Sequence, residues 1–388
     1  MMMIRRVSLL FLLVLNAGCS WLGGWFGGSD NSIPPAELKS IAQPIGVRQL
    51  WETTVGAGAE KQFIRLTPAL ADGRIYAASH DGTVMALDAL SGQRLWQSAT
   101  QLPISGGVGV SETGLALVGT SKGQVVALRQ ADGQEVWRTQ VSSEVLAPPR
   151  AGGGVVVVRT IDGKFTGLDV RTGERRWVYA YATPALSLRG SAPPLLTHDL
   201  VIAGLDTGKL LVLSLDKGLP VTEKTVAAPR GRTEIERLID IDSEPRIFGD
   251  ILYLAAYRGS VAAIDMRNGN LVWNRELSSY AGLDVDAKQV YVSDDADAVL
   301  ALDRRSGGAL WKQPELTGRR LSAPAATDEY VVVGDFEGYL HWLSKNSGAV
   351  VGRIRAAGKS IVAPPLAAGN VVFVQGQGGT LGAYRAGE

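Results

Sequence analysis

The sequence predicts an all-β fold, an eight-bladed β-propeller of four-stranded antiparallel blades, closed by a strand from the N-terminal end. Three observations predict it. One phrase recurs eight times along the chain; each copy alternates apolar and polar residues over short strands such as RIYAAS, TVMALD and QRLWQS; and one further strand near the N-terminus has no blade of its own. Alternating strands of this length each bury one side chain in two, and no single unit covers both of its faces, so the copies must pack on one another.

The phrase is clearest in HDGTVMALDALSGQRLW, residues 80–96: a glycine turn, a strand ending in Ala-Leu-Asp, a second turn at Ser91-Gly92, and a strand carrying Trp96. It returns with its tryptophan at Trp137, Trp177, Trp273 and Trp311, each eight residues after the position equivalent to Asp88. Two further copies are degenerate, with Thr222 and Gly352 where the tryptophan belongs, and the last stops at Glu388 before its fourth strand. The first turn position falls at 82, 123, 163, 208, 259, 297, 338 and 379, steps suited to a four-stranded blade. Residues 47–52 (VRQLWE) carry the repeat's tryptophan at Trp51 and are expected to complete the eighth blade, which also removes an open edge. The repeat tryptophans are read as packing between blades.

The N-terminal end differs in character. Arg5 and Arg6 precede an apolar run over residues 7–15 (VSLLFLLVL) that is too short to span a bilayer and suits a signal peptide. Asn16-Ala17-Gly18-Cys19 resembles a bacterial lipoprotein processing box, although Leu15 lies one residue further back than the pattern prefers. Cys19 is the only cysteine and cannot form an internal disulfide, so a covalent lipid on Cys19 explains it; no other cofactor is expected. The expected organisation is a signal peptide over 1–18, a flexible Gly- and Pro-containing tether over 19–43, and the propeller over 44–388. Without residues 1–18 the chain holds 37 basic and 38 acidic residues, a balance that argues against nucleic acid as a partner.

Residues with the look of chemistry dissolve into the repeat. Gly119-Thr-Ser-Lys-Gly123 fits G-x-S-x-G, but its equivalents in other copies, SHDG and TIDG, are blade hairpins, whereas a nucleophile elbow needs a strand-to-helix turn. Ser214 and Lys217 give S-x-x-K across an ordinary second turn. His80, His198 and His341 fall in different blades without metal-ligand spacing, so no metal site is expected, and Asp294 and Asp295, adjacent on a strand, point to opposite faces. No catalytic residue is expected, and the chain is read as a non-enzyme.

Two insertions stand out, because the step from turn 163 to 208 and that from 208 to 259 exceed the rest. The surplus lies over 178–194 and 223–245, each after an outer strand and before the next inner one, so both are expected on one face of the disc. Long loops on a rigid scaffold are common sites of function. In the first, Leu186 and Leu188 share a side if extended, with Arg189 beside them, a pattern suited to an interface hot spot. In the second, TEIERLIDID, Asp240 and Asp242 share a side on the same condition. A plain covering of the rim by solvated loops stays open as an alternative.

LSLRGSAP (186–193), TEIERLIDID (233–242) and VVVGDFEGYLHW (331–342), on top of the repeats, resemble the BamB family of outer-membrane β-barrel assembly lipoproteins, whose repeats are of the pyrroloquinoline-quinone dehydrogenase type. The resemblance implies a non-catalytic scaffold subunit of the Bam complex, lipid-anchored at the outer membrane and facing the periplasm. It would bind the POTRA domains of BamA, meet other Bam subunits and assist folding and insertion of nascent outer-membrane proteins. It also implies that Leu186, Leu188, Arg189, Asp240 and Asp242 form the BamA-binding patch, and that Ser20 after the lipidated cysteine favours outer-membrane sorting. Two rivals share the repeat. A quinoprotein dehydrogenase commonly carries a vicinal cysteine pair, which this chain lacks; a general periplasmic protein-binding propeller with another partner stays open.

Overall fold

A computed structural model of the chain describes residues 34–188, 192–229, 232–233 and 235–387. The described residues form 32 strands in eight antiparallel sheets of four, the predicted eight-bladed propeller. Seven blades run consecutively over 69–99, 109–140, 150–180, 195–225, 246–276, 282–313 and 325–355. The eighth joins residues 366–386 to β1 (Val47–Thr54), which pairs with the last strand from Val47 opposite Ala386 to Thr54 opposite Thr380. The clasp expected from the stray tryptophan strand is therefore present. First strands of successive blades touch one another and line the axis, which places the two insertions on connections that run from the rim inward.

The hydrophobic core lies between blades. Tyr253, Ala263 and Trp273 of blade five pack with Leu283, Val290 and Leu302 of blade six, and corresponding sets recur around the ring. Trp51, Trp96, Trp137, Trp177, Trp273 and Trp311 are each only 7–9% exposed. Each donates its indole N–H to a backbone carbonyl of the following blade at 2.8–3.0 Å. The ring lies flat on that blade's second turn. Gly92, Gly133, Gly173, Gly218, Gly307 and Gly348 occupy those turns, and a Cβ added to any of them would come closer than 3.0 Å to the indole. Within its own blade the indole sits across from a small residue, Ala383, Ala86, Ala127, Gly167, Ala263 or Ala301.

The two junctions without a tryptophan are resolved differently. At blade seven the pair is inverted: Trp342 lies on the third strand opposite Gly352 on the fourth. A Cβ at Gly352 would press on Ile45 and Val47, so aliphatic side chains at the start of β1 and just ahead of it stand where the indole would. These residues belong to a strap. The Ala36 N–H donates to the Thr317 carbonyl at 2.9 Å, Arg319 and Arg353 donate to the carbonyls of Ala36 and Lys39 at 3.0 Å each, Lys39 pairs with Glu315, and the Ile45 N–H donates to Val351. Of the segment expected as a tether over 19–43, the part from Ala36 onward is held by the propeller: Leu38 is drawn into the core of blades six and seven and arginines satisfy the strap's carbonyls. Residues 1–33, with the expected signal peptide and Cys19, lie outside the described residues.

At the junction of blades four and five, Thr222 replaces the tryptophan, and among the described residues beyond its chain neighbours the turn glycine of blade five, Gly269, has no atom within 4 Å of where its Cβ would be. Gly173 and Gly269 share the same left-handed backbone, φ +71° and +70°, and differ in what lies over them. Alanine at either position pays about 1–2 kcal/mol for the left-handed conformation; at Gly173 it also drives into Trp137, which adds about 1–3 kcal/mol of overpacking. Denaturant unfolding of Gly173→Ala and Gly269→Ala should therefore rank the first well below the second, and equal midpoints would remove indole docking as the source of the difference.

Candidate functional site

The two inserts meet over the top of blade four and are tied by buried charge. Arg159 is the penultimate residue of the second strand of blade three, and its guanidinium donates to the Gly204 carbonyl at 2.9 Å, to the Tyr181 hydroxyl at 3.0 Å and to the Ala192 carbonyl at 3.4 Å. From the second insert, Asp240 and Asp242 turn inward toward it. Asp240 accepts the backbone N–H of Leu188, and Asp242 that of Ala192. Asp242 also lies 3.6 Å from Arg65, which reaches in from the segment after β1. Each insert is thereby stitched to the other at two points, and Asp240 is bridged besides to Tyr257 of blade five through its backbone.

Alternation explains how the second insert lies down. Ile239 and Ile241 point into the core of blades four and five, Ile241 packing against Gly204, while Asp240 and Asp242 take the other side. Both sides are buried, so the shared direction expected for the two aspartates is present but does not face solvent. Any contribution they make to a contact runs through the loop they hold. Leu186, in contrast, is 47% exposed and Leu188 half-buried; Arg189 lies outside the described residues. The start of the second insert forms one short turn in which the Thr233 hydroxyl accepts the Glu236 N–H and the Glu236 carboxylate accepts the N–H groups of Arg232 and Thr233, a capping-box arrangement. Its Ile235 is 65% exposed.

Three of these residues carry no mark in a motif search. Tyr181 and Asp206 join the cluster from the ends of blade three and from the first hairpin of blade four, and Ile235 is the exposed apolar residue of the second insert. Arg159 did leave a signal. Other copies have Ala78, Gly119, Gly204, Ala255, Ser293, Gly334 or Gln375 at its place in the repeat, so a charge stands where small or neutral residues are the rule.

Below the cluster, the axial end of the ring encloses a cavity of about 300 Å³ whose lining includes Arg65, Arg150, Asp242, Glu244 and Arg246. Its charges are matched in pairs: Glu244 takes both Arg150 and Arg246, the latter at 3.1 Å, and Arg246 lies 3.6 Å from Asp284. Burial would raise the Glu244 carboxyl, but the two arginines outweigh it and hold its pKa below the usual range.

The aspartates behave otherwise. Burial first, and then the neighbouring Asp242 carboxylate, push Asp240 up to about 8, against the pull of Arg159 and the Leu188 N–H. Burial likewise raises Asp242 and Asp206, and Asp206 keeps one carboxyl oxygen without a hydrogen-bond partner. On Arg159 burial disfavours the charge, yet Tyr181 and the aspartates raise its pKa overall. A carboxyl whose folded pKa is raised holds a proton that the unfolded chain releases above about pH 4. Its contribution to stability is complete below that pH and is lost as pH rises through the folded value. Asp240→Asn keeps the shape and cannot ionise. Between about pH 5 and about pH 9 its unfolding free energy should fall less than that of the wild type, the gap changing by no more than about 1.4 kcal/mol per pH unit; parallel curves would mean that Asp240 is ionised throughout.

Comparison with known proteins places this geometry. The family model for outer membrane protein assembly factor BamB matches residues 47–104, 80–313 and 298–388. The chain is 39% identical over 398 residues to the outer membrane protein assembly factor BamB of Xanthomonas campestris pv. campestris, covering 99% of this chain and 98% of that one. It is 41% identical over 380 residues to that of Pseudomonas aeruginosa, covering 98% of each. The crystal structure of BamB from Moraxella catarrhalis superposes with a TM-score of 0.81 at 30% identity, over 88% of this chain and all of that one. A quinohemoprotein alcohol dehydrogenase from Comamonas testosteroni, at 15% identity and a TM-score of 0.69 over 87% of this chain and 76% of that one, shares the fold alone. With the clasped eight-bladed ring, the braced inserts and the family match all spanning the same residues, the chain belongs to the family of the outer membrane protein assembly factor BamB.

Proposed function

We propose that the chain is a non-catalytic scaffold in the assembly of outer-membrane β-barrel proteins, and that it binds the POTRA domains of BamA through the blade-four inserts. The observation that carries this reading is the pair of inserts itself: exposed apolar side chains, Leu186 and Ile235, stand on loops cross-braced from beneath by Asp240, Asp242 and Arg159. A binding loop that is already ordered loses less entropy on association than a loose one, and an apolar anchor beside an arginine is a common hot-spot composition. Leu188 and Arg189 complete the patch on the first insert. Family membership supports the assembly role, since the relatives are named for assembly and not for a reaction.

Binding of the chain to the POTRA array of BamA tests the interface. Leu186→Asp/Arg189→Glu replaces the exposed leucine and reverses the charge of the arginine near it in sequence, and should weaken binding by at least about tenfold with unchanged thermal unfolding. Undiminished binding would move the interface off the first insert, and the same assay on Ile235→Asp then reports on the second.

The same reading places the protein at the outer membrane, facing the periplasm and held by a lipid on Cys19. Cys19→Ser should shift it from the membrane fraction to the soluble periplasmic fraction and abolish incorporation of labelled palmitate. A variant that stays membrane-bound without label would assign the attachment to its partners.

A further inference from the structure

The ring defines its own missing part. At six junctions an indole from the outer strand of one blade lies on the second-turn glycine of the next and donates to the carbonyl of the residue after that turn's first position, Ala89, Gln130, Val170, Leu215, Arg304 or Lys345. At the seventh, Ile45 and Val47 stand over Gly352. Among the described residues the junction of blades four and five has neither. Thr222 is exposed where the tryptophans are buried, and Gly269 faces open space.

The walls of that socket are nonetheless in place. Two residues beyond the tryptophan position, Ser98, Thr139, Arg275 and Gln313 each donate to the carbonyl of the next turn's glycine. Lys224, at the same place in blade four, makes that bond to Gly269. The turn of blade five keeps the form of its equivalents, with the Gly269 N–H donated to the Asp265 carbonyl and φ +70°. Blade four also keeps the register shift that precedes the outer strand in the other blades. The junction therefore has the frame of an indole socket without the indole. One wall is altered, since Val212 stands across from Thr222 where the tryptophans face alanine or glycine. Just ahead of the outer strand stands Leu219, 58% exposed, at a position that is Gln93, Gln134, Glu174, Asn270 or Gly308 in the blades that keep their tryptophan.

We infer that this junction is a docking socket for a tryptophan side chain presented on an extended segment of a partner protein, the ring lying on Gly269 and its N–H directed to the carbonyl of Met266, the residue equivalent to the six acceptors. The occupant is specified by the six filled copies in the same molecule: a flat ring with one donor at its edge satisfies the turn glycine and the carbonyl together, and no aliphatic side chain does both. Exposed Leu219 at the rim invites burial, and the socket lies on blade four, the blade that both inserts flank. It does not depend on the assignment of the inserts to BamA, and it survives if that assignment fails.

The test uses the full-length chain in detergent, labelled for amide NMR, titrated with an extended peptide bearing one tryptophan and with the same peptide bearing alanine. The tryptophan peptide should shift the amides of Asn268 and Gly269, and the alanine peptide should leave them unmoved. Two variants close the socket. Val212→Ala/Thr222→Trp supplies a resident indole, and Gly269→Ala puts a methyl where the ring must lie while touching nothing else. Each should weaken the response by at least about tenfold, read at Asn268 in the alanine variant. The inference is overturned if the tryptophan peptide produces no shift, if the alanine peptide produces the same shift, or if both closed variants respond as the wild type does. It is overturned too if Trp21→Ala/Trp25→Ala alone moves these amides before peptide is added, which would make the chain's own N-terminal segment the occupant.

Discussion

The contact on which the ring depends is an indole laid on a glycine across a blade boundary. It joins dispersion, a hydrogen bond from the ring edge and a backbone conformation that only glycine adopts cheaply, and it does so in one place. Loss of a buried ring of this size costs about 3–5 kcal/mol, and six such contacts repeat around the propeller. Because each one joins a blade to its successor, the blades share their cores and are not stable as separate units. Trp51 makes the same contact from β1 to blade one, so the two ends of the propeller are fixed by the bond that fixes five other junctions.

Once the ring is rigid, the inserts have a floor. Arg159 reaches from blade three to the carbonyl of Gly204 in blade four, and the inserts are drawn over it by Asp240 and Asp242. Buried charge of this kind is a weak source of stability, since desolvation consumes most of the attraction. Its value is positional: it leaves one arrangement in which the donors and acceptors beneath the loops are matched, and so sets where Leu186 and Ile235 stand. The same logic holds for the strap, where Arg319 is held by Asp335 and Glu337 on one side and grips the Ala36 carbonyl on the other.

Much of the architecture was legible. Strand alternation, turn glycines and the position of each tryptophan are properties of neighbours in the chain, and their eightfold repetition reinforces any single weak signal. Even the clasp could be read, because Trp51 carries the repeat's mark outside the repeat. Less was legible at the site. Leu186 and Leu188 could be picked out as apolar residues on a long loop, but Asp240 and Asp242 looked like surface charges and are buried braces. The tether looked unstructured over residues where a single leucine, Leu38, and two arginines from blades six and seven hold it in place. Nor does the sequence distinguish the two missing tryptophans: Thr222 and Gly352 are equal gaps in an alignment, yet one is covered by Ile45 and Val47 and the other is open.

The sequence by itself determined the repeat, the number of blades and the strand that closes the ring, because each rests on the spacing and marks of a phrase that is stated many times over. Only the tertiary structure decided which charges are buried, which insert residues face solvent, where the strap begins and which junction is vacant. Those depend on side chains far apart in the chain, such as Arg159 and Asp240, meeting across a boundary between blades. Whether an aspartate is a solvated charge or a protonated brace is a property of that meeting, set by the water it excludes and the donors it finds there.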